Sequence, residues 1–210
     1  MSLHTWLFFV LAYLITTLSP GPNVLLVIRN TVRYGVGGTA ATVAGNLLAQ
    51  FVVVMLVALG VGSILAAMPP LFIAMKVIGA IYLMYLGVKQ VRGQPQQKTA
   101  SIAPSAAPVL NQAKIFRESL FVSGSNPKTL IFLSAFMPQF IAHDRPLPEQ
   151  FAVMYLTVAV TVMLVHSVYS FSARGVHGRL GASPWIALAK RCSGLIFVGL
   201  GVKLLTAKQV

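Results

Sequence analysis

Acidic side chains are almost missing from this sequence. Three residues (Glu118, Asp144 and Glu149) stand against 16 Lys and Arg in 210 residues, giving a net charge of +13. Charged residues of both signs make up 9% of the chain and hydrophobic residues 57%. Soluble domains carry about 25% charged residues, so too little polar surface is present to cover a globule in water. Cysteine is nearly absent as well. Cys192 stands alone, which excludes an internal disulfide or a two-thiol relay within one chain. The four histidines (His4, His143, His166 and His177) are scattered, whereas a metal site wants clustered His, Asp or Cys ligands. No metal and no cofactor is expected. In a soluble chain the positive excess would suggest nucleic acid. Here most basic residues lie between apolar blocks, where positive charge sets topology, and no nucleic-acid partner is expected.

What is abundant is uninterrupted apolar sequence. No Asp, Glu, Lys or Arg occurs from His4 to Ile28, and none from Thr39 to Met75. A span of bilayer takes about 20 apolar residues, so the second run is too long for one helix. Pro69 and Pro70 divide it, because proline lacks an amide donor. The expected spans are 4–28, 39–66, 71–88, 119–141, 151–173 and 184–205. Backbone groups in lipid must pair within their own segment, which makes such runs helices. The N-terminal Met1-Ser2-Leu3-His4 has no basic region before its apolar run, so the first run reads as a retained span.

The loops give an orientation. Arg29 and Arg33 lie between spans one and two, and Lys89, Arg92, Lys98, Lys114 and Arg117 between three and four. Arg174 and Arg179 lie between five and six, with Lys190 and Arg191 a little further on. The other two connections carry little positive excess. Odd-numbered connections are therefore expected on the cytoplasmic side and both termini outside.

The stretch rich in Gln, Pro, Ala and Ser reads as a flexible cytosolic linker over 92–115, between a three-helix unit at 1–91 and another at 116–210. Lys76–Lys89 aligns without gaps on Lys190–Lys203, and both end in Leu-Gly-Val-Lys. The first helix of each unit also carries a polar break with proline: Ser19-Pro20-Gly21-Pro22-Asn23 and Ser125-Asn126-Pro127-Lys128. A repeated unit with an odd number of helices must insert upside down. The expectation is thus an all-α membrane protein of six helices in two inverted repeats, helices one and four broken, as in secondary transporters.

The breaks are the candidate site. At Ser19, Pro20, Gly21, Pro22 and Asn23 regular helical hydrogen bonding fails, leaving free carbonyls and exposed amides, tolerated only against protein or a wet cavity. Amides at a half-helix N-terminus suit a carboxylate, although a simple packing kink would have the same residues. At Asn126, Pro127 and Lys128 the lysine lies deep in its span and is costly unless it faces a polar interior. It could pair with a substrate carboxylate, pair with freed carbonyls, or lock the halves together. Asn46 and Gln50, four apart, share a helix face and could line a path or bond neighbouring helices. His166 and Ser170 do likewise on the fifth helix, and a lone His among apolar residues fits a packing role as well as a functional one. Tyr82 and Tyr85 suit interfacial anchoring or gating.

Taken in order, Ser-Pro-Gly-Pro-Asn, Gly79-Ala80-Ile81-Tyr82-Leu83-Met84-Tyr85-Leu86-Gly87, Asn126-Pro127-Lys128 and Met137-Pro138-Gln139-Phe140 resemble the LysE/RhtB family of amino-acid exporters, its neutral amino-acid (homoserine- and threonine-like) branch most closely. The resemblance covers nearly the whole chain. It implies a multi-pass protein of a bacterial cytoplasmic (inner) membrane that exports an amino acid or close derivative by alternating access, driven by the proton motive force. Its partners would be the amino-acid substrate and the lipid bilayer. Gly194, Gly199 and Gly201 could support helix contacts within or between chains, a homodimer included. The candidate substrate-binding residues, read from the breaks and polar faces above, are Ser19, Pro20, Gly21, Pro22, Asn23, Asn46, Gln50, Asn126, Pro127, Lys128 and His166. One departure bears on coupling: related transporters can carry an acid near the start of the second helix, roughly where this chain has Asn46. Proton coupling then needs His166, Lys128, the substrate amine or an acid at a helix end such as Glu118. Two other classes fit the residues less well. A metal-ion exporter lacks its ligand cluster, and an intramembrane serine enzyme, with Ser123 or Ser125 and His166, lacks a Gly-x-Ser-Gly motif.

Overall fold

The computed structural model describes residues 1–67, 110–142 and 144–175, with scattered positions between 77 and 92 and between 195 and 205. The Pro69-Pro70 boundary, nearly all of the linker, the connection with Arg179, Lys76, Cys192, Gly194 and most of the sixth span lie outside the described residues. Helix is the only regular structure among the described residues.

Helix α1 (Leu3–Leu18) starts where Ser2 Oγ accepts from Thr5 N at 3.1 Å. It stops because a residue before proline is driven out of helical geometry: Ser19, ahead of Pro20, is extended at φ −67°, ψ 116°. Helix α2 (Pro22–Ala67) opens with proline in its first turn, where the missing N–H has no helical partner to lose. It reverses direction at Gly35 (φ 64°, ψ −147°). That backbone region is essentially closed to residues with a Cβ, so the whole connection between the two arms, 22–34 and 36–67, is one glycine. The expected first and second spans correspond to α1 with the first arm and to the second arm.

Helix α3 (Gln112–Gly124) takes up the last four residues of the expected linker, because Asn111 Oδ1 caps it by accepting from Lys114 N at 2.9 Å. Lys114 and Arg117 therefore sit on the helix. After Ser125 and Asn126 the chain resumes as helix α4 (Pro127–Ile131), then a π-helical turn (Phe132–Phe136) and a 3₁₀ turn (Met137–Phe140). Helix α5 (Leu147–Gly175) carries Glu149 in its first turn and Arg174 in its last, each complementing the helix dipole.

The second arm of α2 packs on α3 and α5. A Cβ on Gly45 would lie 2.3 Å from the Phe116 carbonyl oxygen, so glycine is what lets α2 and α3 touch backbone to backbone. Gly201 does the same within the chain: a Cβ there would lie 2.8 Å from Ala80 O. Beside Gly199 the space is open. Phe9, Tyr13, Phe132, Phe136 and Phe140 make a chain of ring contacts, Phe132–Phe136 being closest at 4.8 Å between centroids. They fasten α1 to the irregular turns after α4.

Beside this apolar core, large apolar side chains also face outward and several polar ones are buried. Phe171 is 81% exposed, and Leu59, Phe121, Leu156 and Val168 are exposed too, while Asn30, Asn46, Gln50, Ser123 and His166 are buried. Apolar belts of this size on a helical bundle mark a surface that meets lipid. Two described helical stretches, 22–60 with its corner at Gly35 and 147–174, are long and apolar enough to cross a bilayer. Tyr85 is exposed with Lys89 Nζ 5.9 Å from its ring centre, a pairing suited to a membrane interface.

Candidate functional site

The two chain interruptions lie side by side. Ending α1 at a proline leaves its last carbonyls without helical donors. The Lys128 ammonium, carried in from the start of α4, fills that gap: Nζ donates to Ser19 O at 2.7 Å and to Thr16 O at 2.9 Å. The site therefore puts a cation at the negative end of a helix. The side chain runs past Gly21, where a Cβ would lie in ordinary contact at 3.4 Å from Nζ. An ammonium has three donors, and two are engaged by these carbonyls. Asn126 caps α4 by accepting from Lys128 N at 3.1 Å, which fixes where the lysine emerges. On the other strand of the break, Leu25 N donates to Gly21 O at 3.0 Å. The N–H groups of Asn23 and Val24 thus belong to the unpaired first turn of α2.

Beside Lys128 lies a cavity of ≈ 30 Å³ whose walls include Tyr13, Thr16, Asn23, Gln50, Lys128 and His166. That is room for about one or two waters and far too little for an amino acid. Behind it the amides form one connected network. Tyr13 Oη donates to Gln50 Oε1 at 2.6 Å, and Gln50 Nε2 donates to Asn46 Oδ1 at 2.9 Å. Asn23 Nδ2 donates to Asn46 Oδ1 at 3.2 Å and reaches Ser123 Oγ and Thr129 Oγ1, each at 3.4 Å. Ser123 Oγ also donates to Asn46 Oδ1. Asn46 Nδ2 faces His166 Nδ1 at 3.4 Å. One acceptor is left over: Asn23 Oδ1 is buried with no hydrogen-bond partner.

A second polar layer lies nearer Gly35. Asn30 Nδ2 donates to Thr42 Oγ1 at 2.8 Å, and Thr31, Thr39 and Ser170 share hydroxyl contacts of 2.7–3.1 Å. Arg29 Nη2 meets Glu118 Oε2 at 2.6 Å, half-exposed, tying the end of α2's first arm to α3. This acid is thereby engaged away from the cavity.

Of the residues singled out in the sequence, Gly21, Asn23, Gln50, Asn126, Lys128 and His166 reach the cavity wall. Asn46 stands one layer behind, as the hub of the amides. Pro22 and Pro127 are exposed; they shape the backbone and do not touch the cavity. Ser19 contributes its carbonyl. His166 and Ser170, one turn apart, join different clusters. Sequence reasoning missed Tyr13, Thr16, Thr17 and Thr129. The hydroxyls flanking each break, Thr16-Thr17 before the first and Thr129 after the second, were the available signal. Among the described residues no group of His, Cys, Asp and Glu could hold a metal ion.

The family of LysE type translocators matches residues 14–208. An uncharacterized membrane protein of Pseudomonas aeruginosa is 36% identical over 95% of this chain and 94% of its own length. A leucine efflux protein of Salmonella typhimurium is 31% identical over 99% of this chain and 97% of its own. A homoserine/homoserine lactone efflux protein of Salmonella typhi is 26% identical over the full length of both. No solved structure matches the chain.

Proposed function

We propose, from the premise that this chain belongs to the LysE family of translocators, that it exports an α-amino acid across the cytoplasmic membrane by alternating access, using the proton motive force. A membrane translocator is not an enzyme, and the cavity is read here as a carrier's binding site. The reading places both termini outside and treats the two interruptions as breaks in the first helices of inverted halves.

The observation that carries the site is Lys128 Nζ hydrogen-bonded across the first break to Thr16 O and Ser19 O, on the wall of a polar cavity. Its third N–H and the first amides of α2 together suit a carboxylate, which gains from charge-assisted hydrogen bonds and from the positive end of the helix. An α-amino acid also brings an ammonium. Leucine and homoserine, the substrates in the names of two relatives, share those two groups and differ in side chain. The ≈ 30 Å³ cavity is then the closed form of the site, and the interruptions are where the helices bend to admit cargo.

The test is counterflow in proteoliposomes with a panel of labelled amino acids, run with and without a pH gradient. Accumulation of at least one neutral amino acid, enhanced by the gradient, is expected. No uptake of any amino acid would overturn the reading.

A further inference from the structure

The buried amides link Asn23 and His166, both on the cavity wall, in a chain whose orientations are coupled. A carboxamide has an acceptor end and a donor end, so the orientation of one fixes its neighbour's. In the arrangement present, Asn46 Oδ1 accepts from Gln50, Asn23 and Ser123, and its Nδ2 faces His166 Nδ1. That pairing needs a bare Nδ1, hence a neutral imidazole with its hydrogen on Nε2. The same arrangement leaves Asn23 Oδ1, on a residue of the cavity wall, buried and without a partner. A buried acceptor left open points to a donor supplied from elsewhere, and a substrate ammonium is donor-only.

A proton on His166 Nδ1 reverses this logic, because two N–H groups would then face each other. Asn46 relieves the clash by turning over, giving Oδ1 to the imidazolium and Nδ2 to Gln50 and Asn23. Those two amides must turn in consequence. The hydroxyls of Tyr13, Ser123 and Thr129 allow it, since each can donate or accept. Asn23 then presents Nδ2 to the cavity, and the acceptor for an ammonium is gone.

We propose that His166 sets, through Asn46, whether Asn23 offers the cavity an acceptor or a donor, so that proton uptake at His166 expels the bound ammonium. The proton binds from the outer side as substrate leaves, and departs to the cytoplasm before the next substrate binds. No bond other than His166 N–H is made or broken. This rests on the amino-acid export proposed above, and it gives coupling to a chain with no carboxylate among the described residues that line the cavity. The titratable groups facing His166 across that cavity are Lys128 on α4 and Tyr13 on α1. Repulsion between a charged His166 and the substrate acts whether or not Asn46 is present, which separates it from the relay.

Nitrogen-15 NMR of histidine-labelled protein in nanodiscs reads the His166 tautomer and protonation, with His166→Gln assigning the signal. Binding of labelled L-leucine and L-homoserine is measured on the same samples across pH. The expected neutral form carries its hydrogen on Nε2, and affinity falls about tenfold as Nδ1 takes up a proton, the worth of one hydrogen bond to a charged group. In Asn46→Leu the fall should shrink to the part that direct repulsion from His166 supplies. A neutral form protonated on Nδ1, an affinity that is flat through the titration, or an equal fall in Asn46→Leu would each overturn the relay. Should Asn46→Leu not fold, the tautomer and the affinity curve of the unaltered protein decide. No binding of either amino acid at any pH would overturn the export reading and the expulsion that rests on it, whereas binding with a neutral form protonated on Nδ1 would overturn the relay alone.

Discussion

The two interruptions look alike in sequence but do opposite things. The first, at Ser19–Gly21, ends a helix and exposes its carbonyls. The second, at Ser125–Asn126, starts a helix that Asn126 caps at once with its own side chain. One leaves a backbone deficit; the other is locally complete and has a cation to spare. Lys128 joins them. The lesson is that the breaks are complementary parts of one site, a socket of carbonyls and a plug of charge, and neither is a copy of the other.

That complementarity can be broken in graded ways. Lys128→Met removes the plug and its hydrogen bonds to Thr16 O and Ser19 O, and counterflow should fall about a hundredfold or more, as when one partner of a buried charged hydrogen bond is deleted. Wild-type efflux and affinity in this variant would show that the two breaks do not act together. Gly45→Ala should lower stability by about 1–3 kcal/mol through overpacking, since the new Cβ meets the Phe116 carbonyl; a melting curve in detergent measures it. Asn126→Ala removes the cap at the second break and should lower stability by about 1 kcal/mol, with Asn126→Ser restoring most of it. An unchanged melting temperature in Asn126→Ala would mean the second break is no more self-sufficient than the first. Arg29→Gln loses a half-exposed ion pair with Glu118 and the guanidinium's hydrogen bonds to Asn30 Oδ1, and should lower stability by about 1 kcal/mol.

Much of this was legible in the residues. Proline and glycine inside an apolar run cannot be reconciled with continuous helix, so both interruptions and the placement of Lys128 beside them could be read directly. The four-residue spacing of Asn46 and Gln50 gave their shared face, and the structure adds a 2.9 Å hydrogen bond between them. Which of its offered partners Lys128 would take was not legible, because that depends on how two helices far apart in sequence cross. The same reason hides Tyr13, an ordinary aromatic in an apolar helix until α2 sets Gln50 against it. The start of α3 was misplaced because charge at Lys114 and Arg117 resembles a loop, while the Asn111 cap is a local geometric fact. Glu118 was open as a coupling acid, and only the fold shows it engaged with Arg29.

Gly35 gives the molecule a mechanical property. With a single residue between its arms, α2 has no slack at that corner. The arm that begins beside the carbonyl socket and the arm that bears Asn46 and Gln50 meet at this one residue. The amides and the first break are thereby carried on two arms that share one corner.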